Sequence, residues 1–152
     1  MVRSPVIGLV TALFASAALA APLRLPGAGT ADAHEVLADG FLPFDQAAAD
    51  GWTPVTREPV YLSAGITTPA STTFELKPGS YRVVVLCDCT AMEVTMLKPD
   101  ATTLPAERKD DRRAMYSFDV QTTGSYLTGI DMDDCSQTLC AIGVKVYRKT
   151  AD

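Results

Sequence analysis

Beyond Val60, apolar residues recur at every second position through most of the chain, and that period belongs to strands rather than helices. In one run Tyr81, Val83, Val85 and Cys87 share a face while Arg82, Val84 and Leu86 share the other. Both faces are largely apolar, so this strand belongs in the middle of a sheet covered on both sides. Met92, Val94 and Met96 align on the next strand, which Pro99-Asp100 ends. Tyr116, Phe118 and Val120 then face inward, Gly124 turns the chain, and Tyr126, Thr128, Ile130 and Met132 alternate again. Cys140, Ile142, Val144 and Val146 form the last strand. Short strands with turn signals every 8 to 12 residues predict an all-β fold, an antiparallel β-sandwich or jelly roll of about seven to eight strands. No segment carries the helical period that crossover helices need. Residues 107–113 mix acids and bases and read as a solvated loop.

The chain opens differently. Arg3 gives a short positive start, residues 6–20 are apolar and uncharged, and Ala18-Leu19-Ala20 fits a small-x-small cleavage pattern. A membrane span needs about 20 apolar residues, so this stretch reads as a cleaved signal peptide over residues 1–20. The expected mature chain starts at Ala21, is periplasmic or secreted, and has no integral membrane segment. Removing 20 of the 152 residues takes away Arg3, leaving 12 basic against 18 acidic residues and a net charge of −6. That balance argues against nucleic acid as a partner. A chain of this size forms one domain, expected as a monomer.

Residues 21–59 are rich in proline and glycine and show little periodicity, so they read as an extended arm. One short helical turn is expected over 45–50, with Asp45 as its cap and Gly51 as its stop. Phe41, Phe44 and Trp52 would tether the arm to a sandwich over residues 60–148. Residues 149–152 make a tail.

The segment Phe74-Glu75-Leu76-Lys77-Pro78-Gly79-Ser80-Tyr81 leads into an apolar strand, a second strand ending at Pro99-Asp100, and then Phe118 to Tyr126. That pattern, over roughly residues 70–148, resembles the bacterial pre-peptidase C-terminal domain. The resemblance implies an exported jelly-roll module with an accessory or binding role. The second strand departs from the acid-rich form common in that family, reading Ala91-Met92-Glu93-Val94, and the cysteines lie outside its general pattern.

Four cysteines follow the leader as two tight pairs, Cys87 with Cys89 and Cys135 with Cys140, and in an oxidising compartment such pairs become disulfides. In an extended strand Cys87 and Cys89 would stand about 6.5 to 7 Å apart, at the limit for a direct bond. If both turns lie at one end of the sandwich, shared inward parity favours Cys87 with Cys140 and Cys89 with Cys135. A local Cys135–Cys140 bridge is the other option.

Metal is the alternative use of these residues. Soft ligation of copper would draw on the cysteines with Met92, Met96, Met115, Met132 and His34. Calcium would draw on the carboxylates Asp88, Asp131, Asp133 and Asp134 near the cysteine turns. The methionines fall largely on core positions, however, and the acid spacing matches no EF-hand loop. No nucleophile-elbow or zinc-protease motif occurs, and His34 is the sole histidine, far in sequence from the cysteines. A redox-active Cys-x-Cys needs a nearby positive group, whereas the nearest charge in sequence is Asp88. The expected function is therefore an exported, noncatalytic binding module of the bacterial envelope, with no cofactor and with an envelope protein or glycan as partner. A periplasmic metal-binding protein is the alternative.

Overall fold

The computed structural model describes residues 31–46 and 50–150, so the expected leader over 1–20 lies outside the described residues. One helix and nine strands follow in order: α1 (Ala31–Asp45), β1 (Trp52–Pro54), β2 (Val60–Ala64), β3 (Ala70–Leu76), β4 (Gly79–Cys87), β5 (Ala91–Leu97), β6 (Arg108–Asp110), β7 (Arg113–Val120), β8 (Gly124–Asp134) and β9 (Cys140–Lys149). Two antiparallel sheets pack face to face as a sandwich. The larger runs β1-β9-β4-β7-β6, with β2 also paired to β9, and the smaller runs β3-β8-β5.

The alternation read from the sequence defines the space between the sheets. Tyr81, Val83, Val85, Met92, Val94, Met96, Tyr116, Ile130, Met132, Ile142, Val144 and Val146 all lie in one buried cluster there. Tyr116 ties the layers together, its hydroxyl donating to the Val94 carbonyl at 2.7 Å from β7 to β5. Strand β4 sits between β9 and β7, as its two apolar faces require. The strands that the alternation did not announce are the three-residue β1 and β6 at the sheet edges. Their shortness leaves little alternation to read.

The arm is the main correction. Residues 31–45 are not extended; they form α1, which lies on the outer face of the larger sheet. Ala33, Leu37 and Phe41 recur every four residues and are buried, with Phe44 one turn on packed against the same face. Gly40 and Pro43 hide this stripe, because both are poor helix residues. Packing explains the glycine. A Cβ on Gly40 would stand 2.9 Å from the Leu86 side chain, so its absence lets the helix approach β4. Gly143 on β9 does the same from the other side, where a Cβ would meet the Phe41 ring at 2.7 Å. Pro43 falls in the last turn, and Asp45, expected to start a helix, ends this one. The expected turn over 45–50 falls partly outside the described residues.

Two boundaries move with it. Trp52 to Pro54 pair with Lys149 to Tyr147, so the sandwich begins before Val60 and runs through Lys149. Residues 107–113 form a hairpin rather than a free loop, with β6 on β7 and Asp110 accepting from Arg113 at 2.8 Å.

Candidate functional site

Antiparallel pairing brings both cysteine turns to one end of the sandwich. Cys87 faces Ile142, Ala91 faces Asp134, and Ala64 faces Cys140, so the end of β4, the starts of β5 and β9 and the end of β8 converge. The sulfurs nevertheless pair within each turn: Cys87 with Cys89, Cα atoms 5.2 Å apart, and Cys135 with Cys140, 6.0 Å apart. This corrects the favoured Cys87–Cys140 and Cys89–Cys135 pairing. The reason is local backbone geometry. Strand β4 ends at Cys87 and residues 88–90 bend, so the separation falls within the range a disulfide spans.

The energetic consequence is large. Chain-entropy bookkeeping assigns about 1.6 kcal/mol to a three-residue loop and about 2.2 kcal/mol to a six-residue one, against about 4 kcal/mol for each cross-link of some fifty residues. All four cysteines are buried in the sandwich cluster. The bridges therefore pin two turns more than they join distant parts of the chain.

The acidic candidates do not converge. Asp131, Asp133 and Asp134 are exposed residues of β8 itself, not of the turn after it. Asp131 lies opposite Glu93 on β5, which pairs with Lys109, while Asp88 faces Arg112. Among the described residues no group of three or more His, Cys, Asp or Glu side chains gathers where it could hold a metal. The soft set is dispersed too. Met92, Met96 and Met132 fill the core, Met115 packs toward the outer face, and both cysteine pairs are oxidised. His34 stacks on Tyr61 with ring centroids 4.3 Å apart, across the larger sheet from the cysteines.

A residue the sequence left unremarked comes to the cysteine turn. The β6–β7 turn packs against it: the Cys87 amide donates to the Arg112 carbonyl at 3.0 Å and the Met92 amide to the Asp111 carbonyl at 2.9 Å. The Arg112 guanidinium lies 3.9 Å from the Asp88 carboxylate. Asp88, Cys89, Thr90, Arg112 and Ser136 line an open cleft of about 220 Å³.

A second cleft, about 260 Å³, opens where β1 meets the outer face of β4 and β7, lined by Trp52, Ser80, Ser117, Phe118, Asp119 and Lys149. Arg82 stacks over the Trp52 ring, 4.4 Å from its centroid, and its Nε donates to the Ser117 hydroxyl at 3.2 Å. Ser117 in turn donates to Glu107, and Ser80 donates to Asp119 at 2.5 Å. The cross-strand pairs Ser80 with Asp119 and Arg82 with Ser117 hold this polar strip in register. An indole edged by hydroxyls and both signs of charge is equipped to hold a polar, hydroxyl-bearing ligand.

Under the end of α1, the buried Lys145 binds the Asp45 carboxylate, and the Tyr147 hydroxyl donates to it at 2.9 Å. Burial, then the Asp45 hydrogen bond and charge, push the Tyr147 hydroxyl far above the ordinary phenol range. With all three groups satisfied by one another, this cluster fastens the helix. No protein-family model matches the chain, and no curated protein matches it.

Proposed function

We propose that this chain is an exported, noncatalytic β-sandwich module of the bacterial envelope that works by binding, with an envelope glycan as its ligand. The Trp52 cleft carries the reading. It joins an aromatic platform to Ser80, Ser117, Asp119, Lys149 and Arg82 on a rigid sheet face. Hydroxyl-rich ligands take such a mixture, apolar face to ring and hydroxyls to charged or polar neighbours. The leader-like residues 1–20 and the oxidised cysteine pairs support export. The two-sheet architecture supports the likeness to pre-peptidase C-terminal modules. Among the described residues no helix is long and apolar enough to cross a membrane.

The test is co-sedimentation of the full chain, expressed with its leader, with purified cell-wall sacculi and with sacculi-free envelope protein. Binding to sacculi that weakens at least tenfold in Trp52→Ala and in the surface variant Asp119→Ala supports the proposal. Binding only to envelope protein, or to neither, overturns the glycan assignment. A product that stays in the cytoplasm overturns the export assignment.

A further inference from the structure

We propose that Cys87–Cys89 is a thiol–disulfide exchange centre, open to a dithiol partner through the cleft beside Arg112, while Cys135–Cys140 is a structural bridge. This goes beyond the binding reading and does not depend on what the Trp52 cleft holds.

Three observations converge. The first is the small loop. Closing three residues restricts the unfolded chain less than any other disulfide here, so the fold depends on this bond least. The second is placement. Cys89, though only 5% exposed, lies in the bend after β4 and lines the cleft with Thr90 and Ser136. Neither Cys135 nor Cys140 lines that cleft.

The third is charge. Exchange proceeds through thiolates, and a cation beside the sulfurs favours them. Asp88, between the two cysteines, opposes that. The fold answers it with Arg112, whose carbonyl accepts from the Cys87 amide and whose guanidinium faces the Asp88 carboxylate. The Arg112 side chain is more than half exposed on the cleft.

The reaction balances without any further co-reactant. A thiolate of the partner dithiol attacks the Cys89 sulfur, forming a mixed disulfide. The Cys87–Cys89 bond breaks and its electron pair leaves on the Cys87 sulfur, which takes a proton from water. The partner's second thiolate then attacks its own sulfur in the mixed disulfide and releases the Cys89 thiolate, which is protonated in turn. Two electrons and two protons pass to the pair, and the partner leaves as a disulfide.

Incubating the native chain with graded dithiothreitol, followed by differential alkylation and peptide mapping, tests this. The expected result is that Cys87 and Cys89 become alkylated while Cys135 and Cys140 remain bridged, with circular dichroism unchanged. Opening of Cys135–Cys140 first, resistance of both bonds short of unfolding, or a starting pairing other than Cys87–Cys89 overturns the proposal. Arg112→Ala should slow the opening about fivefold at low salt, the order expected when the Asp88 charge beside the exchanging sulfurs is left uncompensated, and Arg112→Lys should restore it. An unchanged rate in Arg112→Ala removes the arginine from the mechanism, and the proposal as stated fails.

Discussion

Lys145 donates hydrogen bonds to both carboxylate oxygens of Asp45, each at 2.8 Å, across 100 residues of sequence. The pair is asymmetric, since the lysine side chain is 3% exposed and the aspartate 31%. It joins the last residue of α1 to the centre of β9. A carboxylate at a helix C-terminus opposes the helix dipole, and the lysine beneath it offsets that cost.

The asymmetry predicts unequal mutants. Asp45→Ala leaves a buried ammonium without its carboxylate and should cost about 3 kcal/mol. Lys145→Met fills the space with an apolar chain and leaves a carboxylate that water can reach, so it should cost about 1 kcal/mol. Urea unfolding of both variants measures the difference. Equal losses would mean that the buried lysine does not depend on Asp45.

Tyr147 makes the same site sensitive to alkali. Its folded-state pKa lies above the unfolded one, chiefly through burial and then through Asp45. The stability it contributes is therefore fully present below the unfolded value, about 10, and is lost as pH rises beyond it. Stability should fall above about pH 10, with the Tyr147 phenolate appearing only as the chain unfolds. Tyr147→Phe should flatten that fall while costing about 1 kcal/mol at neutral pH through the lost hydrogen bond. A phenol that titrates normally in the folded chain would contradict the burial.

Thr128 lies at the centre of β8, fully buried, and its hydroxyl has no hydrogen-bond partner among the described residues. An unsatisfied buried hydroxyl is costly, and valine has nearly the same shape. Thr128→Val should raise stability by about 1 kcal/mol, or the melting temperature by roughly 4 °C. Calorimetry decides, and a destabilised valine variant would show that the hydroxyl is satisfied in solution.

The two short disulfide loops set a scale for thiol removal. The double variant Cys135→Ser with Cys140→Ser should lose about 2 kcal/mol, from a six-residue loop, rather than the 4 kcal/mol of a long cross-link. Denaturant midpoints measure this, and a loss near 4 kcal/mol would point back to bridging between the turns.

Much of the sandwich was legible because a strand's side chains alternate whatever its neighbours do. Met92, Val94 and Met96, and later Tyr126, Ile130 and Met132, declared their inward faces directly, and the core contains them. The helix was not legible. Its stripe of Ala33, Leu37 and Phe41 is interrupted by Gly40 and Pro43, residues that argue against a helix until the neighbouring sheet is known. The outer face of β9 was missed for the matching reason. Ala141, Gly143, Lys145 and Tyr147 look like a solvent face, and only the helix lying on them makes them buried.

The candidate sites divide the same way. The cysteines were visible, but their grouping at one end was only a condition until the antiparallel pairing was known. Their partners depended on a bend of three residues that parity does not describe. Arg112 was one base among several in a charged run, and Trp52 a tether. Which of them meets Asp88, and which takes Arg82 over its ring, depends on how the β6–β7 turn and β1 fold back onto β4.

By itself the sequence determined the all-β architecture and the central place of β4. Both rest on period and pattern within single strands, which the pleat imposes locally. The tertiary structure alone decided that residues 31–45 are helical, that each cysteine turn closes on itself, and that Lys145 is buried against Asp45. The helix and the Lys145–Asp45 pair depend on groups far apart in the chain, selected by packing and desolvation once the sheets have formed, and the cysteine turns close through a backbone bend that strand period does not encode.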